Sequence, residues 1–292
     1  MKTVYREIPY DRLDLWRRFC NYYYNCLRDV DRHMMKLIHS LEDTGQIDNT
    51  IIFMISDHGE MLGQQGARGK IVSWEESIRV PTLVYHPDLK SKKLCNSVIS
   101  NIDIVPTLLE FTGLSKSELR DKHPELKGNS YAELVENVNY DNVRDKEGHL
   151  IHGVQIIPTV FEVAEKFRHT ALADGFLAKT KAFMSEGKFL PDFTPPLNYK
   201  GVVDKKHKFL RFFSPRQNNI PTNYDELTKY NAEYQLYDLE NDPFEMNDLA
   251  KDENNRDLLM SMNDKCNTLA DKEIGLENHV IHLPGPDWFW TA

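Results

Sequence analysis

Residues 11–43 mix charged side chains with Leu, Met and Tyr and stop at Gly45, a pattern that predicts one long helix. The next apolar run, Ile51 to Ile55, is short and unbroken and ends abruptly in Ser56-Asp57-His58-Gly59-Glu60. A strand buried on both faces gives such a run, so strands are predicted at 50–56 and, after Pro81, at 81–86. Residues 103–112 predict a short helix with Asp103 as its N-cap and Gly113 as its stop. Residues 135–150 are polar and predict a loop. Candidate strands follow at 150–157, 170–179, 207–213 and 234–239, enough for a small antiparallel sheet. Pro191 to Leu197 is expected to be a linker and residues 253–273 a helix. The aromatic tail from Pro284 to Trp290 is expected to dock on the body of the protein, because exposed tryptophans in a free tail promote aggregation. No internal repeat is visible.

The first apolar run also carries the main candidate chemistry. In open α/β sheets ligands bind just beyond the carboxyl ends of strands. Asp57 and His58 sit at such an end, and carboxylate and imidazole are both common metal ligands. Gly59 lets the backbone turn sharply after them. Plainer roles stay open at this point. Asp57 can cap a turn, His58 can satisfy a strand end by hydrogen bonding, and Lys70 can be a surface lysine.

The stretch from Ile51 to Pro87 resembles the sulfatase family of the alkaline-phosphatase-like superfamily. The family pattern appears as Ser56-Asp57-His58-Gly59, Leu62-Gly63-Gln64-Gln65-Gly66, Lys70, Glu75 and Arg79-Val80-Pro81, with Gln65 where the family usually has histidine. Upstream, Tyr24 to Thr50 resembles the family's helix and linker, with Asp31 at the usual acidic position. Downstream, Asp103-Ile104-Val105-Pro106-Thr107-Leu108-Leu109, Leu126 to Ser130, and Gln235 to Glu245 with Asn247, Leu249 and Ala250 resemble later family segments. The family's nucleophile, a formylglycine made from Cys or Ser in C/S-x-P-x-R, is absent, as is its first pair of metal-binding aspartates. The chain thus resembles the C-terminal half of a sulfatase.

The resemblance implies an α/β fold: part of an alkaline-phosphatase-like, mostly parallel sheet flanked by helices over residues 1–140, and over 141–292 a small antiparallel sheet with a helix and the aromatic tail. It implies Asp57 and His58 as metal ligands and Lys70 as the lysine that contacts sulfate, where an ammonium suits an anionic oxygen. Glu75 and Arg79 are expected to form a structural ion pair or backbone anchors. The implied chemistry is metal-assisted hydrolysis of a sulfate ester, with calcium the usual cation and manganese compatible with an imidazole ligand. The implied partners are a sulfate-ester small molecule or sulfated glycan, and a complementary N-terminal chain or a second copy. A phosphonate or phosphodiester hydrolase of the same superfamily and an inactive relic are the alternatives.

Composition narrows the classes. With 292 residues, 40% of them hydrophobic, the chain can bury a sizeable core. A net charge of −9 and the lack of a dominant basic stripe argue against nucleic-acid binding. No run of about 18 apolar residues suggests a membrane span. The four scattered cysteines show no disulfide framework or zinc spacing. The charged N-terminus does not read as a secretory signal, so the chain as written is expected to be cytoplasmic.

Overall fold

The computed structural model describes residues 8, 9, 11–70, 72–89, 93–154, 198–213, 220–230 and 233–275. Its contacts divide the chain into two compact units, Lys2–Asp145 and Lys146–Ala292, the latter with Met1. The strand expected at 170–179 and the tail from Pro284 lie outside the described residues.

The first unit opens with helix α1, Leu13–Asp43. Its end follows from Gly45, whose φ of +68° only glycine adopts cheaply. The N–H groups of Gly45 and Gln46 donate to the carbonyls of Glu42 and Leu41 at 3.0 and 2.8 Å, a Schellman closure. Strands β1, Ile52–Ile55, and β2, Thr82–Tyr85, pair antiparallel with Ile52 opposite Tyr85 and Ile55 opposite Thr82; the one-turn helix α2, Glu75–Ile78, lies between them. Where a mostly parallel sheet is expected, this antiparallel pair is the sheet formed among the described residues of the unit. One face of the pair is covered, with Phe53 packed 6.2 Å from Phe111 and 6.4 Å from Tyr131, ring centre to ring centre. On the other face Leu83 and Tyr85 stay exposed.

Helices α3, Ile104–Phe111, α4, Lys116–Lys122, α5, Ala132–Glu136, and α6, Arg144–Glu147, complete the segment. Gly113 stops α3 in a second Schellman closure, as expected. Asp103 does something other than cap α3. Ser100 begins a short 3-10 turn there, and the Asp103 carboxylate accepts hydrogen bonds from the N–H groups of Ser100 and Asn129 at 2.9 and 2.7 Å. The same carboxylate takes a two-pronged pair from Arg144 at 2.5 and 2.7 Å, with both side chains about 1% exposed. The polar stretch 135–150 is therefore not a loop: it supplies a buried cation to this hub and then enters a strand.

Among its described residues the second unit is a meander of four antiparallel strands in chain order: β3, His149–Val154, β4, Asn198–Val203, β5, His207–Phe213, and β6, Glu233–Asp238. Between β5 and β6 comes α7, Tyr224–Tyr230, and the chain then forms α8, Arg256–Glu273, which packs against β3, β4 and β5. Val202, Phe209 and Leu236 from the sheet, Leu227 from α7, and Leu259, Met262, Cys266 and Leu269 from α8 make the core. The face that carries Val202 and Phe209 also carries Lys200 and Arg211, directly opposite each other across the strands and fully buried. Arg211 donates to Asn263 Oδ1 at 2.6 Å. Burial, then the neighbouring Arg211 charge, pushes the Lys200 ammonium down to about 8, and burial raises the Cys266 thiol. On the opposite face Lys208 is also fully buried and pairs with Glu245 at 2.5 Å.

Candidate active site

Strand β1 delivers Ser56 to Gly59 at its carboxyl end. The turn there is held on both sides. Ser56 Oγ donates to the His58 carbonyl at 2.8 Å, Asn101 Nδ2 donates to the Ser56 carbonyl at 3.1 Å, and the Gly59 N–H donates to the Ser77 carbonyl at 2.7 Å. A Cβ at residue 59 would lie 2.0 Å from the Glu76 carbonyl oxygen, so this approach requires glycine. Asp57 Oδ1 accepts the His58 N–H at 2.9 Å, which holds the carboxyl below its ordinary range, with smaller help from the charges of His58 and Lys70. The Asp57 side chain is otherwise 81% exposed.

His58 lies between a carbonyl and a cation. Its Nδ1 is 2.9 Å from the Gly59 carbonyl oxygen, which can only accept, so Nδ1 carries the proton. This leaves the Nε2 lone pair facing outward, 3.3 Å from Asp57 Oδ2 and in direct contact with Lys70 Nζ. The structure thus brings together the three residues singled out by sequence: Asp57, His58 and Lys70.

Lys70 reaches the imidazole from a compact loop, residues 62–69. Leu62, Gly63, Gln65, Gly66 and Gly69 have φ of 47, 98, 50, 67 and 86°. Gln65, at the position where the resemblance expects histidine, therefore sits in a backbone conformation that costs a non-glycine residue. Main-chain bonds close the loop, from Gly63 N–H to the Ala67 carbonyl at 2.9 Å and from Met61 N–H to the Gly69 carbonyl at 3.0 Å. Met61, Ala67 and Val72 form a small core beneath it, with Trp74 packed alongside. Helix α1 backs the loop: Trp16 leaves 3.2 Å for a Cβ at Gly63, and the Arg68 guanidinium lies 5.5 Å over the Phe19 ring.

Glu60 is the residue that sequence reasoning missed. Its Oε1 accepts the Gly69 N–H at 2.6 Å and lies 3.4 Å from the Leu62 N–H, tying both ends of the loop to the strand end. An acidic residue directly after the motif was visible, but nothing along the chain linked it to an amide nine residues later. Burial, then the Glu60 charge, raises the Tyr23 phenol on α1. Glu75 and Arg79 meet through the main chain, with the Arg79 N–H donating to the Glu75 carbonyl at 2.8 Å.

Asp57 Oδ2 and His58 Nε2 are spaced like neighbouring ligands of one cation, whose oxygen and nitrogen bonds run roughly 2.0–2.6 Å. The donor set therefore fits a divalent cation as part of its shell. Among the described residues no third His, Cys, Asp or Glu joins them. Lys70 and a cation would also compete for the Nε2 lone pair.

The comparisons with known proteins bear on the family and the fold. The family model "Sulfatase" matches residues 4–114, so the resemblance seen in the motifs is borne out over that segment. An extracellular sulfatase SULF-1 homolog of Drosophila melanogaster is 35% identical over 96 residues, covering 32% of this chain and 9% of the relative. An N-acetylglucosamine-6-O-sulfatase of Bacteroides thetaiotaomicron is 30% identical over 139 residues, covering 38% and 25%. The crystal structure of a putative sulfatase from Bacteroides fragilis superposes with a TM-score of 0.62 at 21% identity, covering 92% of this chain and 46% of that one. The fold is thus the alkaline-phosphatase-like fold of sulfatases, and the chain spans less than half the length of each of these proteins.

Proposed function

We propose, from the premise that residues 4–114 are sulfatase-family sequence on a sulfatase fold, that this chain is the cation- and sulfate-holding part of a sulfate-ester hydrolase. The juxtaposition of Asp57, His58 and Lys70 at the end of β1 carries the reading. Asp57 and His58 supply two ligands to a divalent cation, calcium by preference for oxygen donors and manganese by tolerance of imidazole. Bound there, the cation supplies charge stabilisation to sulfate oxygens. The Gly59 carbonyl keeps His58 in the tautomer whose Nε2 can serve as a ligand. With Nε2 held as a ligand, Lys70 would present its ammonium to the substrate's anionic oxygens.

The nucleophile lies outside these 292 residues, which contain no Cys or Ser followed by x-Pro-x-Arg. A complementary polypeptide carrying it would complete the centre, and the open apolar face of β1 and β2 is where a further layer of the fold would seat. The substrate class is a sulfated small molecule or glycan, in keeping with the relative named for a sulfated sugar.

Calorimetry on this chain tests the reading. Calcium or manganese should bind weakly and be lost in Asp57→Asn, and sulfate should bind in the cation's presence and be lost in Lys70→Ala. Cation binding that Asp57→Asn leaves intact would place the site elsewhere. With a nucleophile-bearing partner added, a panel of aryl sulfate and phosphonate monoesters separates sulfatase from phosphonate hydrolase.

A further inference from the structure

Lys70 stands at the end of a loop with five left-handed residues, a backbone with little intrinsic reason to hold one shape. One side chain holds the amide of its last residue before Lys70. The Glu60 carboxylate receives the Gly69 N–H at 2.6 Å, while the neighbouring Met61 N–H donates to the Gly69 carbonyl at 3.0 Å. Gly69 is thus gripped at both its amide and its carbonyl by consecutive residues of the strand end. Glu60 is itself two residues past His58, on the segment pinned by the bond from Gly59 to Ser77. The ruler from imidazole to ammonium therefore runs His58, Gly59, Glu60, across one hydrogen bond to Gly69, then Lys70.

We propose that Glu60 is a positioning residue for Lys70: by accepting the Gly69 N–H it sets the register of the loop, so that the ammonium meets the His58 Nε2 and the anion site in front of it. This rests on the site proposed above. What matters in it is an acceptor oxygen at the right reach. Glutamine keeps that oxygen, aspartate withdraws it by one methylene, and alanine removes it.

The test uses the full chain with three readouts. These are hydrogen exchange at the Gly69 amide, the nitrogen NMR shift of His58 Nε2, and sulfate binding in the presence of the cation. In Glu60→Ala and Glu60→Asp the Gly69 amide should exchange at least about tenfold faster, since its protection rests on that bond. The His58 shift should move to the value seen in Lys70→Ala, and sulfate affinity should fall as far as it does in that variant. Glu60→Gln should keep all three near wild type. Glu60→Asp retains the charge and most of the bulk, so the comparison stands even if the alanine variant folds poorly. If Lys70→Ala moves the His58 shift and neither Glu60→Ala nor Glu60→Asp does, Glu60 does not position the lysine. A Glu60→Gln variant as impaired as Glu60→Ala overturns the acceptor argument equally. A His58 shift and sulfate affinity that Lys70→Ala itself leaves unchanged would instead sink the role given to Lys70.

Discussion

Gly59 shows how a missing Cβ can set a site. The 2.0 Å approach to the Glu76 carbonyl leaves no room for a methyl group, so Gly59→Ala must push the strand end off α2 and break the bond to Ser77. Overpacking of this kind costs about 1–3 kcal/mol. Urea denaturation should show that loss, and the cation binding proposed for Asp57 and His58 should weaken with it. Lys200 makes a different residue-scale prediction. Its pKa is pushed down to about 8 in the folded protein against an ordinary lysine value in the unfolded chain. Between pH about 8 and about 10 the unfolded chain then holds the extra proton, so stability rises with pH. Above that window unfolded tyrosines begin to ionise, while burial holds Tyr199 and Tyr237 protonated in the fold, and stability falls again. Lys200→Met should flatten the rise, worth about 1–2 kcal/mol across the window, in melts taken at stepped pH.

At the scale of elements, the sequence announced those whose pattern matched their environment. Helix α1 and its stop at Gly45, the β1 run, β5 and β6 were all legible, because their boundaries and type follow from the local residue pattern alone. Strand β4 was not. Asn198 to Val203 carries a lysine and a glycine where a buried strand is expected to be apolar. Tertiary packing overrides that expectation: Lys200 lies over the Phe213 ring at 5.2 Å, and Gly201 is required because a Cβ would lie 2.2 Å from the Phe209 carbonyl. Asp103 reads as a helix cap in the sequence because its partners lie far along the chain, at Asn129 and Arg144. The site divided in the same way. Asp57, His58 and Lys70 were legible from the motif, while Glu60 was hidden because its contact depends on the fold of the loop. The Asp103 hub gives the element-scale prediction. Arg144→Ala strands a carboxylate about 1% exposed and should cost about 3–5 kcal/mol in urea denaturation. Replacing Asp103 and Arg144 together by apolar residues should cost less than the single change.

At the scale of the whole molecule, the antiparallel pair β1 and β2 has one face against Phe111 and Tyr131 and another that shows Leu83 at 60% exposure and Tyr85 at 41%. An exposed apolar sheet face invites association. The isolated chain should therefore bind a hydrophobic dye or self-associate in light scattering, and a complementary sulfatase polypeptide should suppress both. A dye-silent monomer would show that the chain covers this face itself. The second unit carries a clock in its core. Cys266 is fully buried and its thiol raised by burial, whereas Cys26 on α1 is exposed. Alkylating reagents attack the thiolate, so Cys26 marks the arrival of reagent and Cys266 is modified only when the meander parts from α8. The ratio of the two labelling rates would then time how often that unit breathes, residue by residue of reagent consumed, without any probe being added to the protein.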